Sequence, residues 1–208
     1  RKLFIMEEVK YQLYPTLLNA FGTYLAAPFP ENKITLLNRI NRVNDFDAET
    51  RKKFAKGSSF EDAVLKNKAH TFDQKMVDEV KLLLPEVKVT QLKVSFIHKN
   101  IRFYGFADVV GEGRVIDIKT TSKYRPQKFA FNFQTLYLFG LAQKGCKQME
   151  YIIYDFNEVH QEVYTLDNFD FGLMLHQMEL FTEFLEENRA EITDKKIFIE
   201  PTLGGLFG

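Results

Sequence analysis

The sequence predicts an α/β domain in which a mixed central sheet is flanked by helices and preceded by a helical N-terminal cap. Three observations carry this. Residues 87 to 120 hold three stretches of alternating polar and apolar residues separated by short turns, the signature of consecutive half-buried strands. Helical periodicity recurs on both sides of that block. Gln148 to Phe156 is almost continuously apolar, as a strand buried on both faces should be.

Taken in order, Val9, Leu13, Leu17, Leu18, Phe21 and Leu25 recur at helical spacing and predict a helix from Met6 to Leu25. Ala26-Ala27-Pro28-Phe29-Pro30 breaks it, since proline removes a donor and restricts its predecessor. Glu31 to Arg42 reads as a second helix, and Asp47 as the cap of a short third one through Phe54. A new helix is expected after Gly57, with Ser58 or Ser59 as its N-cap. Thr71 to Leu84 places Phe72, Met76, Val80 and Leu83 on one face and stops at Pro85. The predicted domains are therefore a cap over residues 1–56, a core over 57–200 and a flexible glycine-rich tail over 201–208.

Val87 to His98 is the first strand, and His98-Lys99-Asn100 turns into a hairpin of Arg102 to Val110 and Arg114 to Thr120. Two glycines in Gly111-Glu112-Gly113 are expected to supply the positive φ of the tight turn. A helix from Gln127 to Gln143 follows. Gln148 to Phe156 and Glu162 to Leu166 are strands with Asn157 in the turn, and Asp167 is read as the cap of a last helix from Phe169 to Ile192, with Phe169, Leu173, Phe181, Phe184 and Leu185 inward.

Within the hairpin, alternation puts Asp117 and Lys119 on one face and turns Ile116 and Ile118 to the apolar side. Asp108, near the end of the partner strand, can bring its carboxylate beside Asp117. Two hard carboxylates suit Mg²⁺ or Mn²⁺, and the matching chemistry is metal-assisted hydrolysis. A lysine beside a dication has its pKa depressed, which marks Lys119 as a group able to orient or deprotonate a water.

These residues resemble the PD-(D/E)xK nuclease superfamily, whose signature is an acid at a strand end followed, after a turn, by Asp or Glu, any residue, and Lys. Asp108 matches the first acid, Asp117-Ile118-Lys119 the triplet, and Ala107 stands in the proline position. Asn132-Phe133-Gln134-Thr135-Leu136-Tyr137 resembles the Gln and Tyr helix of the RecB-like branch, which includes phage-type exonucleases; two residues separate Gln134 from Tyr137 where that pattern commonly has three. The resemblance covers roughly Gly57 to Tyr154 and implies a restriction-endonuclease-like core. It further implies a Mg²⁺- or Mn²⁺-dependent deoxyribonuclease, an exonuclease of DNA recombination or repair. DNA is then the partner, alongside recombination or repair proteins and a possible oligomer.

The implied roles place Asp108, Asp117 and Glu61 on the metal with the Ile118 carbonyl, Lys119 on the attacking water, and Gln134 positioning water or phosphate. Lys123, Arg125 and Tyr137 would meet DNA. Glu61 has a second reading, as a first-turn acid that closes a capping box with Ser58. Tyr137 has one as core, and Lys123 and Arg125 as a solvated loop. His70 reads as a solvated or capping residue and His176 as solvent or core. A non-catalytic module on the same fold, binding nucleic acid or protein, is the alternative function.

Composition sets bounds on all of this. The 208 residues carry 28 basic and 28 acidic side chains, a formal charge of zero, so any grip on nucleic acid must come from a local basic patch. A single cysteine, Cys146, excludes an intramolecular disulfide and a cysteine-rich zinc cluster and agrees with a reducing cytoplasm. No apolar run is long enough to span a bilayer, so no membrane partner is expected.

Overall fold

The computed structural model describes residues 8–43 and 46–200. It is a mixed α/β fold whose six-stranded sheet runs in the order β1 (Tyr11–Leu13), β3 (Ile101–Gly111), β4 (Arg114–Thr120), β5 (Gln148–Tyr154) and β6 (Val159–Thr165), with β2 (Val89–His98) also paired to β3. Helices flank the sheet, an arrangement compatible with a restriction-endonuclease-like core. The chain groups into two compact units, one of residues 1–44, 95–104 and 172–208, the other of 45–94 and 105–171.

The second unit holds most of the sheet. Its helices are α3 (Ala48–Lys66), α4 (Gln74–Leu83) and α5 (Leu136–Leu141), and its strands include β4 (Arg114–Thr120), β5 (Gln148–Tyr154) and β6 (Val159–Thr165). Strands β2 (Val89–His98) and β3 (Ile101–Gly111) pass from one unit into the other. β4 and β5 are parallel, from Arg114 opposite Gln148 to Thr120 opposite Tyr154, while β5 and β6 are antiparallel. β5 is buried along nearly its whole length, which is why it reads as an apolar run. On one face Val109, Ile116, Ile118, Ile152 and Tyr154 meet Phe60, Ala63 and Val64 of α3 and Met76, Val77 and Val80 of α4. Arg114 joins β4 to its surroundings: its guanidinium grips the buried Glu150 carboxylate at 2.9 and 2.6 Å and donates to the Leu83 carbonyl.

The other unit contains β1 (Tyr11–Leu13), α1 (Pro15–Ala26), α2 (Pro30–Ile40) and α6 (Gly172–Glu187). β1 lies parallel to the start of β3, with Tyr11 opposite Ile101. Leu17, Leu18 and Phe21 of α1 are buried, and the Phe21 ring lies 4.6 Å from that of Phe181 and 5.8 Å from that of Phe184.

Several expectations need correction. The helix drawn from Met6 begins at Pro15, because a proline at the first helical position leaves Tyr11–Leu13 as a strand; Met6 itself lies outside the described residues. The helices expected to end at Phe54 and restart at Ser58 are one helix, α3, running unbroken through positions 56 to 59. Asp47 caps it by accepting the Thr50 N–H at 2.6 Å, so Ser58 and Ser59 are interior and no capping box joins Ser58 to Glu61.

The β3–β4 turn takes its positive φ from Glu112 and Gly113, not from both glycines. Gly111 is needed for space instead: a Cβ there would lie 2.2 Å from the Val87 carbonyl oxygen. The long helix from Gln127 is only α5 with a single 3₁₀ turn on each side, since Glu162 of β6 accepts the Lys128 and Phe129 N–H groups and holds the preceding segment out of helix. Asp167 caps nothing. Asn168 closes its turn by accepting the Thr165 N–H, α6 starts at Gly172, and Leu173 is exposed while Met174 is inward. The tail over 201–208 lies outside the described residues.

Candidate active site

β3 and β4 are paired only from Val109 opposite Ile116 to the turn. Beyond that point the strands part, and the fork holds the acids. Asp108 is the first β3 residue past the pairing, and its Oδ2 accepts the Ile118 N–H at 2.8 Å in place of a backbone carbonyl. Extending the antiparallel register puts Asp117 across from Asp108, so both carboxylates leave the same face. Ile116 and Ile118 turn the other way into the core.

Asp117 is buried, and its Oδ2 lies 2.7 Å from Lys119 Nζ. That approach is ionic but poorly directed, and the oxygen has no hydrogen-bond donor aimed at it. Glu61, on α3, completes the cluster through Gln91, whose amide donates to Glu61 Oε1 at 2.9 Å and to Asp108 Oδ1 at 3.3 Å.

The electrostatics follow from this crowding. Burial, then the charges of Asp117 and Glu61, push the Asp108 carboxyl up to about 8. Glu61 is raised by burial and by Asp117. Burial alone would pull the Lys119 ammonium down, but the negative charge of Asp117, backed by Asp108 and Glu61, outweighs it and raises the amine's pKa. Three acids face one lysine. Asp108 and Asp117, facing carboxylates of which one keeps a buried oxygen with no aimed donor, are hard oxygen groups of the type a divalent cation of the Mg²⁺ or Mn²⁺ kind takes, with Glu61 reached through Gln91.

The remaining candidates are placed around this cluster. Tyr137 is buried on α5 with its hydroxyl raised by burial and by the Asp117 and Asp108 charges, which sets it on the acids' flank. Its ring covers Gly105 so closely that a Cβ there would lie 2.6 Å from the hydroxyl oxygen. Gln134 is buried in the 3₁₀ turn before α5. Ile118 is buried, with its N–H committed to Asp108. Lys123 and Arg125 are exposed on the loop after β4.

His70 is half-buried, its Nδ1 shielded and without a hydrogen-bond partner among the described residues, and His176 is exposed. Gln91 was missed. Its signal is present in the sequence: apolar positions in this strand change parity between Val89 and Leu92, and Gln91 sits at the change with φ +52°.

No protein-family model matches the chain. No curated protein matches it either. Among solved structures, the crystal structure of SSO0001 is similar at 12% identity over 86% of this chain and 78% of that one, with a TM-score of 0.45. A Eubacterium rectale protein whose name carries the word exonuclease is similar at 10% identity over 83% and 68%, with a TM-score of 0.36. Scheffersomyces stipitis Rai1 is similar at 13% identity over 86% of this chain and 61% of its own, with a TM-score of 0.34. Among the described residues, no helix is long and apolar enough to cross a membrane.

Proposed function

We propose that this protein is a divalent-metal-dependent deoxyribonuclease that hydrolyses phosphodiester bonds, acting as an exonuclease of DNA recombination or repair. The observation that supports it is the gathering of Glu61, Asp108 and Asp117 with Lys119 at the β3–β4 fork. Asp108, Asp117 and Glu61 would hold Mg²⁺ or Mn²⁺, with the Ile118 carbonyl as a further ligand. The bound ion supplies Lewis-acid polarisation of the phosphate and a more acidic water.

This chain's own residues do the rest. Lys119, protonated through its acidic neighbours, orients the attacking water and offsets negative charge accumulating on the phosphate. Gln134 positions that water or the phosphate. Tyr137 packs on the flank of the acids, while Lys123 and Arg125 contact flanking phosphates.

The direct test is incubation of linear, nicked and single-stranded DNA with the protein and Mn²⁺. Cleavage is expected in wild type and should fall by about a hundredfold to a thousandfold in Asp117→Asn and Lys119→Ala. No cutting of any substrate would leave the non-catalytic nucleic-acid-binding module as the reading.

A further inference from the structure

The stripe of α3 that faces the sheet changes character along its length. Phe60, Ala63 and Val64 are buried against the strands, whereas one to three turns earlier the same stripe carries Glu49, Lys52, Lys53 and Lys56. Those residues line a cavity of about 540 Å³ whose opposite wall is Thr120, Thr121, Ser122 and Lys123, with Phe156 among its lining residues. Glu49 neutralises Lys53 at 2.6 Å. Lys128 is occupied in holding the loop, donating to the Thr121 hydroxyl and the Lys123 carbonyl. Lys52, Lys56 and Lys123 have no carboxylate within ion-pair distance among the described residues. A groove on a chain of zero net charge therefore keeps three amines without counter-charge.

Phe156 is the second observation. It stands in the β5–β6 turn with φ +76°, a conformation that bulky side chains rarely adopt, although the next residue is Asn157, a type that tolerates it well. Its ring lines the groove with the Lys56 amine 3.6 Å from the ring centre, while the ring also packs against Tyr154. Strain of this kind is kept where the local geometry serves a purpose.

We infer that this groove is a binding site for single-stranded DNA, with Lys52, Lys56 and Lys123 on the phosphates and Phe156 as a stacking platform for one base. Unneutralised amines beside a half-buried aromatic ring that lines the groove are the chemistry that holds unpaired nucleic acid. The cavity has the volume of a drug-sized ligand site, room for one or two nucleotides. It rests on the nuclease reading only in making this strand the substrate, because Thr120 directly follows Lys119 and Lys56 lies about 7 Å along the helix axis from Glu61.

The test uses binding alone. The protein in EDTA is titrated against fluorescein-labelled oligo-dT by anisotropy, with a hairpin duplex of equal phosphate count as competitor. Lys52→Glu with Lys56→Glu should weaken binding at least about tenfold and lower the slope of log affinity against log salt by roughly 0.7 for each phosphate no longer neutralised. Phe156→Ala should weaken it about tenfold with the salt slope unchanged. The lysines are exposed, so an unaltered circular-dichroism melt is expected for the charge variant. Wild-type affinity in both variants, or a duplex that binds as tightly as oligo-dT, would overturn the assignment. Tight groove binding with no cleavage under Mn²⁺ would instead remove the nuclease reading and leave the groove standing.

Discussion

Lys119 shows how much depends on single positions: it is one amine among three acids, and Asp117 alone approaches it within 2.7 Å. Asp117→Asn should therefore release Lys119 as well as weaken the metal set, and the two single variants should lose nearly the same activity as the double variant, a non-additivity that steady-state cleavage rates will show. A second residue-scale prediction concerns Glu179, held below the usual carboxylate range by hydrogen bonds from Lys99 and then His98. An acid lowered in the folded state adds stability above its unfolded pKa and loses it as pH falls through its folded pKa. Glu179→Gln should then lower the melting temperature at neutral pH, with the gap closing on acidification below about pH 4. Asp108, Asp117 and Lys119 were legible because strand parity alone fixes which side chains share a face. The parity change beside Gln91 marks an irregular strand, but its bridge from Glu61 to Asp108 is a tertiary contact that no local pattern shows. The role of Glu61 rests on the family resemblance, and its capping-box reading fails because nothing near Ser58 shows that the helix has already begun at Ala48.

At the scale of elements, the strands from Val89 onward follow the sequence pattern closely, whereas β1 falls inside a stretch of helical periodicity and the helix bounds depart further. The three strands from Val89 to Thr120 fall within two residues of their expected bounds, because alternation is a local property. The segment from Gln127 to Asn132 was misread as helix since the residue that prevents it is remote: Glu162 takes the Lys128 N–H at 2.8 Å, the Phe129 N–H at 3.0 Å and the Tyr164 hydroxyl at 2.9 Å. Glu162→Ala would orphan these donors, two of them on the backbone. A loss of about 2–3 kcal/mol in urea unfolding is expected, against a much smaller loss for Glu162→Gln, which keeps an acceptor.

For the molecule as a whole, the cluster of like charges is a standing cost that a dication removes. Saturating Mn²⁺ should raise the melting temperature by about 5–10 °C, as a ligand near a hundred times its dissociation constant would for a chain of this size. Asp117→Asn should abolish the rise; an equal rise in that variant would place the ion elsewhere. Zero net charge predicts weak association with nucleic acid overall, so salt sensitivity should come almost wholly from the α3 groove. The interleaving of the chain has a further result. Phe21 of α1 is covered by Phe181 and Phe184, which are translated some 160 residues later. At about 5–20 residues per second, this leaves an aromatic surface bare on the ribosome for roughly ten seconds or more. Premature termination anywhere before α6 would release a polypeptide with that surface open, so nascent fragments of this protein should be captured by chaperones while the finished chain is not.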